Sequence, residues 1–170
     1  MEAQKRRAAI ARELERATAP LSATVLAKEF GVSRQIIVGD IALLRAGGMD
    51  ISATPRGYVL PAPATGKLYT IACRHTAVQM EQELNAIVDQ GCTVVDVIVE
   101  HPVYGQITGP LQISSRYEVT QFVFVIARQA AAPLSALTDG IHLHTIQCPD
   151  DAAFERVKNA LREQEILLED

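Results

Sequence analysis

Apolar residues recur at helical spacing in three stretches of the first 60 residues, and an alternating stretch follows them. The helical stretches span residues 5–17, 22–30 and 33–46, and the alternating one spans residues 51–60. Ser22 and Ser33 are predicted N-caps of the second and third helices, and Gly31 suits a tight turn between them. The alternating stretch surrounds Thr54-Pro-Arg-Gly57, a composition typical of a hairpin turn. We therefore predict three helices followed by a hairpin.

The turn between the second and third predicted helices resembles a helix-turn-helix motif. It lies in the stretch Leu26-Ala-Lys-Glu-Phe-Gly-Val-Ser-Arg-Gln-Ile-Ile. Small Ala27 suits the close approach of two helices, Gly31 the sharp turn, and Val32 an apolar plug at the corner. Together with the hairpin as a wing, this order predicts a winged helix-turn-helix DNA-binding domain over residues 1–60.

Polar and basic residues of this domain are the candidate contacts to double-stranded operator DNA. The third helix would present Ser33, Arg34 and Gln35 at its N-terminus, within reach of phosphates and base edges. The further candidates, for the DNA backbone or a minor groove, are Arg56 at the hairpin tip and Lys5, Arg6 and Arg7. The alternative is an ordinary small helical domain whose basic residues form a solvated face.

A short segment rich in proline and small residues, residues 61–66, predicts a linker, and beyond it strands and helices alternate. The predicted strands span residues 68–73, 93–99, 105–113 and 141–147, and the predicted helices span residues 77–90, 115–128 and 151–168. This order, β-α-β-β-α-β and then α, predicts an α+β, ferredoxin-like domain over residues 67–170 with an extra C-terminal helix.

Composition supports a globular chain of two small domains with different partners. The 170 residues are 48% hydrophobic, with a mean hydropathy of +0.11, which excludes a disordered chain. No apolar run approaches the roughly 18 residues of a membrane span, so we expect no membrane partner. Residues 1–60 carry nine Lys/Arg against six Asp/Glu, whereas residues 61–170 carry seven against fourteen. Three cysteines without zinc-ribbon spacing and a polar N-terminus without a secretory pattern predict a cytoplasmic protein with reduced thiols.

All four histidines lie in the second part of the chain, and three of them are candidate metal ligands. His142 and His144 are two apart on a predicted strand, so they share a face with Cα atoms roughly 6.8 Å apart. His75 follows the first strand of the domain, and Glu83 lies about two turns into the next helix. Three imidazoles and a carboxylate suit a divalent ion such as Ni, Zn, Fe or Mn. The alternatives are a hydrogen-bonded histidine pair and a solvated Glu83, with Cys148 either a further ligand or a buried apolar group.

Three segments of the second part resemble the 3H domain, which is named for its histidine motifs. They are Arg74-His-Thr-Ala-Val-Gln-Met-Glu-Gln-Glu-Leu84, Asp96-Val-Ile-Val-Glu-His-Pro-Val-Tyr-Gly105 and Leu137-Thr-Asp-Gly-Ile-His-Leu-His-Thr-Ile146. A 3H domain joined to a winged helix-turn-helix is similar to the niacin-responsive transcriptional repressor family (NiaR), and the likeness covers nearly the whole chain. The choice of Glu83 over Glu81 follows from matching the glutamate directly before Leu84.

This resemblance implies a repressor of genes for NAD biosynthesis or niacin uptake, with nicotinic acid as co-repressor. It also implies one metal ion per chain, held by His75, Glu83, His142 and His144, with the effector pocket nearby. His101 and Tyr104 project from the loop after the second strand of the domain and are the candidate ligand-binding residues. For His101 the alternative is an ordinary turn histidine.

Nicotinate carries a carboxylate and a pyridine nitrogen, and either group can fill an open position on such a metal. Because operator half-sites lie roughly 34 Å apart, we expect a homodimer that presents two recognition helices. One alternative is a metal-dependent hydrolase acting on a nicotinamide-like amide, which lacks an assigned nucleophile or base unless His101 serves. The other is a simple metal-sensing repressor. We expect a regulator rather than an enzyme.

Overall fold

The computed structural model describes residues 2–61 and 65–170, which form two compact units that divide between residues 63 and 64. The predicted linker falls at this division, and its residues 62–64 lie outside the described residues. No helix in the described ranges has the length and apolar character needed to cross a bilayer.

The first unit contains three helices and a two-stranded hairpin, as the hydrophobic pattern predicts. The elements are α1 (Ala3–Arg16), α2 (Ala23–Phe30), α3 (Arg34–Ala46), β1 (Ser52–Thr54) and β2 (Gly57–Val59). The hydroxyls of Ser22 and Ser33 accept hydrogen bonds from backbone N–H groups of the first turns that follow, so both predicted N-caps are confirmed. Gly31 ends α2 in the left-handed conformation at φ 64°.

The hairpin is held against the segment that precedes α2. Leu21 and Tyr58 exchange two backbone hydrogen bonds of 3.0 and 2.9 Å. Gly57 has φ 141°, and a Cβ at this position would lie 2.6 Å from the Leu21 carbonyl, so only glycine lets the wing approach so closely. Buried apolar residues from the three helices, together with Ile51 directly before β1, form the core of the unit: Ile10, Leu14, Leu26, Ile37, Ile41 and Ile51.

The second unit contains four strands and three helices in the predicted order. The elements are β3 (Lys67–Arg74), α4 (Met80–Val88), β4 (Thr93–His101), β5 (Gly105–Ile113), α5 (Arg116–Arg128), β6 (Ile141–Cys148) and α6 (Asp151–Glu163). A 3₁₀ turn (Ala77–Gln79) precedes α4, and a second 3₁₀ segment (Leu134–Thr138), which the hydrophobic pattern does not predict, precedes β6. The α+β class is therefore confirmed.

The strand order within this class differs from the ferredoxin-like one. The sheet is antiparallel with the order β3-β6-β4-β5, so the last strand lies between β3 and β4. In the ferredoxin-like order the third strand of the domain would take that central place. Here the third strand is β5, and its Pro110 has no N–H for a second neighbour, which confines β5 to an edge. As a consequence β6, with two histidines, is a central strand.

The last helix is shorter than predicted. It ends at Glu163 instead of continuing to Leu168, and Glu165 adopts a left-handed conformation at φ 57°. The chain then runs along the outer edge of β3, where Leu168 donates to the carbonyl of Ala72 and Ile166 accepts from Arg74, each at 2.9 Å. The helical spacing of apolar residues continues into this segment, but backbone pairing with β3 decides its conformation.

Candidate metal centre and nucleic-acid interface

Three histidines and Glu83 meet on one face of the sheet in the second unit. His142 and His144 point to the same side of β6, since side chains two residues apart on a strand share a face. His75 directly follows β3, the neighbour of β6. Glu83 lies in the first turn of α4 and is only 1% exposed, whereas Glu81 in the same turn is exposed. The fold therefore brings together residues that are far apart in the sequence.

The carboxylate of Glu83 lies against the Nε2 atoms of all three imidazoles. Its Oε2 is 2.6 Å from Nε2 of His75 and 3.3 Å from Nε2 of His144. Its Oε1 is 3.0 Å from Nε2 of His142. All three imidazole side chains are at most 3% exposed. The four groups thus form a buried cluster centred on one carboxylate.

The other nitrogen of each ring faces a backbone carbonyl. The Nδ1 atoms of His75, His142 and His144 lie 2.7, 2.8 and 2.7 Å from the carbonyl oxygens of Thr76, Gly140 and Asp96 respectively. A carbonyl oxygen only accepts hydrogen bonds, so each Nδ1 must donate its proton. Each neutral ring therefore presents an unprotonated Nε2 towards Glu83, and a carboxylate also only accepts.

This arrangement needs positive charge at its centre. Protons on all three Nε2 atoms would place three imidazolium ions against one carboxylate in a buried space, which is costly. Moreover, among the described residues Nε2 of His144 finds no hydrogen-bond partner of acceptable geometry, although it lies 3.3 Å from Glu83. A divalent cation bound by the Nε2 lone pairs and the carboxylate satisfies every one of these atoms. The donor set fits a first-row metal ion.

Without a metal, burial and the charges of Glu83 and the imidazoles together set the pKa of each group in the cluster. Burial by itself would raise the pKa of Glu83, but the three imidazoles hold it well below its ordinary value. Burial lowers the pKa of His75 and His144, yet the Glu83 carboxylate more than compensates and the pKa of each is raised. Protons and a metal ion therefore compete for the same Nε2 atoms.

The cysteines divide between two places. Cys73 pairs with His142 across β3 and β6, and its thiol, with Glu83 and His142, forms a group whose ligand atoms lie within 4.8 Å of one another. Burial raises the pKa of the Cys73 thiol. Cys148 lies four residues beyond His144, roughly 13 Å along the strand. Its sulfur lies 2.7 Å from that of Cys92, so Cys148 is a buried neighbour of Cys92 and is not part of the histidine cluster.

The two candidate ligand-binding residues lie at the end of β4. His101 is half-buried, and its Nδ1 accepts the backbone N–H groups of Val103 and Tyr104 at 3.1 and 3.2 Å, so its Nε2 carries the proton. Tyr104 is 77% exposed, and its ring lies 5.1 Å from that of His101. The pairing of β4 with β6 ends at Ile98 and Leu143, three residues before His101, which pairs with Gly105 of β5.

Most of the predicted DNA contacts lie at the surface of the first unit. Ser33, Arg34 and Gln35 are exposed at the N-terminus of α3, where the Ser33 hydroxyl also caps the helix. Lys5 is exposed near the start of α1. Arg7 and Arg56 are half-buried.

Arg6 is different, because it points into the domain. It is 8% exposed, and its Nε and Nη2 donate to the Asp40 carboxylate at 2.6 and 3.3 Å. Asp40 lies on the inner side of α3 and is 4% exposed, and a buried carboxylate requires a positive partner. The Arg6 side chain therefore links α1 to α3, and this burial argues against the predicted contact with DNA, which stays a prediction.

Both units of the chain match known protein families. A family model described as an HTH domain matches residues 6–59, and one described as a 3H domain matches residues 69–170. The probable transcription repressor NiaR of Thermotoga maritima is 45% identical over 167 residues, which cover 98% of this chain and 95% of that protein. The transcription repressor NadR of Bacillus subtilis is 45% identical over 161 residues, which cover 92% and 89%. The chain belongs to the NiaR/NadR family of transcription repressors.

Membership in the NiaR/NadR family makes this chain a DNA-binding regulator and not an enzyme. In this repressor, the sequence did not predict which backbone carbonyls orient the imidazoles, because every residue has a backbone carbonyl whatever its type. The glycine at position 140 was one signal in the sequence that could have indicated a close backbone contact here. In the structure Gly140 has φ 87°, and an added Cβ would clash with the His75 carbonyl. Cys73 was also missed, although its place two residues before His75 sets it at the same end of β3.

Proposed function

We propose that this chain is a metal-binding transcriptional repressor that uses nicotinic acid as co-repressor at operators of NAD biosynthesis or niacin uptake genes. In this proposal residues 1–60 bind DNA, residues 61–66 link the domains, and residues 67–170 bind the metal and the effector. The observation that carries it is the convergence of three unprotonated Nε2 atoms on the Glu83 carboxylate, because this arrangement calls for a cation. The protein would act in the cytoplasm, where its thiols stay reduced.

The metal ligands would be His75, Glu83, His142 and His144, and they would hold one divalent ion, Ni, Zn, Fe or Mn, per chain. When bound, the ion supplies positive charge and open positions for an anionic ligand. The carbonyl partners of the three Nδ1 atoms hold the rings in the required tautomer before the ion arrives. The ligand positions are therefore preorganised.

Nicotinate would suit this site because the bound metal ion would supply the positive charge that an anion needs in an acidic domain. Residues 61–170 carry seven Lys/Arg against fourteen Asp/Glu, so an organic anion needs a local positive charge or local donors. His101, with its proton on Nε2, and the Tyr104 hydroxyl would supply donors beside the metal. Nicotinamide, which lacks the carboxylate, would bind more weakly.

On the DNA side, Ser33, Arg34 and Gln35 would contact bases and phosphates in a major groove, with Lys5, Arg7 and Arg56 on the backbone. A homodimer would place two such helices on successive grooves. Nicotinate would favour the dimer arrangement that matches this spacing, so operator DNA would tighten nicotinate binding by the same factor.

The test is fluorescence anisotropy with a duplex selected from a random library by the full chain in the presence of Ni²⁺ and nicotinate. We expect tight binding only when both are present, and weaker binding when benzoate or nicotinamide replaces nicotinate. Full affinity with Ni²⁺ alone would establish the simple metal-sensing repressor instead. Conversion of nicotinamide to nicotinate by the Ni²⁺-loaded protein would establish the amide hydrolase.

A further inference from the structure

Asp96 lies where β4 departs from regular pairing with β6. Val94 pairs with Ile146 and Ile98 pairs with Leu143, so four steps along β4 match three steps along β6. The additional residue in β4 is a β-bulge, which withdraws backbone groups from the regular ladder of hydrogen bonds. The bulge faces the segment of β6 that contains His144 and Thr145.

Asp96 makes two hydrogen bonds across this bulge, one with its backbone and one with its side chain. Its carbonyl oxygen accepts from Nδ1 of His144 at 2.7 Å. Its carboxylate Oδ1 accepts from the backbone N–H of Thr145 at 2.9 Å. The side chain thus replaces a ladder bond that the bulge removes, while the released carbonyl binds an imidazole.

His144 depends on this contact in a way that the other two histidines do not. His75 and His142 find their carbonyl partners one and two residues away in the chain, at Thr76 and Gly140. The partner of His144 is 48 residues away, on a neighbouring strand. Local geometry therefore orients two of the imidazoles, and strand pairing orients the third.

We propose that Asp96 is a positioning residue for the metal centre. By accepting the Thr145 N–H, its carboxylate holds the bulge in place, and the bulge aims the Asp96 carbonyl at Nδ1 of His144. That carbonyl keeps the proton on Nδ1 and leaves the Nε2 lone pair facing Glu83. The inference rests on the proposed function, since it treats His144 as a metal ligand.

Substitutions of Asp96 distinguish a role of its carboxylate as a hydrogen-bond acceptor from a role in packing alone. Asp96→Ala leaves the Thr145 N–H without its acceptor, and β4 can recover a regular ladder by moving the bulge, which withdraws the carbonyl from His144. Asp96→Asn keeps an Oδ1 acceptor at the same place and should preserve the bulge. Asp96→Ser is a second disruptive variant, because its hydroxyl is too short to reach Thr145.

The test measures Ni²⁺ affinity of the full chain by isothermal titration calorimetry. We expect Asp96→Ala to bind about 10–100-fold more weakly, the usual effect of removing a group that orients a metal ligand. Asp96→Asn should stay within a few-fold of the parent chain. The matched control is Asp89→Ala, which removes a carboxylate of the same domain that is bound to Arg116 and not to the cluster.

A second measurement detects orientation directly. Nitrogen-15 NMR of the metal-free, histidine-labelled chain is recorded above the folded pKa of His144, where the ring is neutral. It should show His144 with its proton on Nδ1 in the parent and in Asp96→Asn, but a mixture of tautomers in Asp96→Ala and Asp96→Ser. Asp96→Ser stands in for Asp96→Ala should the alanine variant not fold.

The outcomes separate the two ideas. Absence of Ni²⁺ binding by the parent chain would overturn the proposed function. Normal Ni²⁺ binding by the parent and by both disruptive variants, with an unchanged His144 tautomer, would overturn the role of Asp96 and leave the proposed function standing. Equal losses in Asp96→Asn and Asp96→Ala would also overturn it, because the acceptor would then not matter.

Discussion

Glu83→Gln gives the sharpest test of the cluster, because its effects with and without metal have opposite signs. The Glu83 side chain is 1% exposed and lies within 3.3 Å of Nε2 of all three histidines. Glutamine keeps the shape of the side chain but replaces one carboxylate oxygen with an NH₂ group, which donates to an Nε2 lone pair. The variant therefore removes a proposed metal ligand and, while the imidazoles are neutral, relieves the repulsion between acceptors that meet in the metal-free site.

The expected change in unfolding free energy has two parts, one for the metal-free protein and one for Ni²⁺ binding. Without metal, the sign depends on the charge of the imidazoles. Above the folded pKa of His75 and His144 the rings are neutral, so the Glu83 carboxylate is a buried charge without a positive partner, and a neutral amide in its place should be neutral or stabilising. With Ni²⁺ at 100 times its dissociation constant, binding stabilises the parent by about 2.7 kcal/mol. If the variant binds a hundredfold more weakly, the same Ni²⁺ concentration stabilises it by only about 0.4 kcal/mol.

Differential scanning calorimetry of the full chain measures both terms. For a unit of about 100 residues, 1 kcal/mol corresponds to about 4–8 °C, so Ni²⁺ should raise the midpoint of the second unit in the parent by roughly 10–20 °C. Glu83→Gln should lose most of this shift, and its metal-free midpoint, measured at a pH above the folded pKa of His75 and His144, should equal or exceed that of the parent. Glu81→Gln, an exposed residue of the same helical turn, is the control and should keep the whole shift. A full Ni²⁺ shift in Glu83→Gln, or a marked loss of metal-free stability, would refute the reasoning.

Three further predictions concern pH, backbone and the first unit. Because the pKa of His75 and His144 is raised in the fold, the stability they contribute without metal is full below pH about 6.5 and is lost as pH rises through their folded pKa. Over the same pH interval the Ni²⁺ affinity should rise, because bound Ni²⁺ displaces protons from the imidazoles. Calorimetry in buffers of different ionisation enthalpy measures the number of protons released, and a pH-independent Ni²⁺ affinity would contradict the prediction. Gly140→Ala should destabilise the second unit and weaken Ni²⁺ binding more than Gly105→Ala does. Both glycines have positive φ, but only a Cβ at Gly140 would meet backbone atoms, those of His75. Equal effects of the two substitutions would exclude this clash as the cause. Arg6→Met should lower the denaturant midpoint of the first unit, because it leaves the buried Asp40 with only the 3.5 Å contact to Arg7. Exposed Arg34→Ala should leave that midpoint unchanged and weaken DNA binding, and the reverse pattern would show that Arg6 serves DNA binding and not the core.

Local features of the chain were predictable because they depend on neighbours in the sequence. The N-caps at Ser22 and Ser33 and the turn at Gly31 follow from the chemistry of single residues and hold in the structure. The common face of His142 and His144 follows from the two-residue period of a strand. The resemblance to a known domain supplied the partners of these histidines, which spacing alone left open.

Other features depend on contacts between distant segments, and periodicity does not encode them. The spacing of apolar residues carries the last helix to Leu168, but pairing with Ala72 makes that segment extended. Arg6 lies four residues before Ile10 on the buried face of α1, but a basic residue type does not predict burial. Its place in the core depends on Asp40, 34 residues away.

The histidine cluster shows the same division between local and distant causes. Residue type and period establish which side chains can bind a metal and which of them share a face. The order of the strands, the bulge at Asp96 and the carbonyl that meets Nδ1 of His144 arise only when β6 enters the sheet between β3 and β4. A backbone carbonyl has the same chemistry at every residue, so its partner is chosen by where the folded chain places it and not by the letters of the sequence.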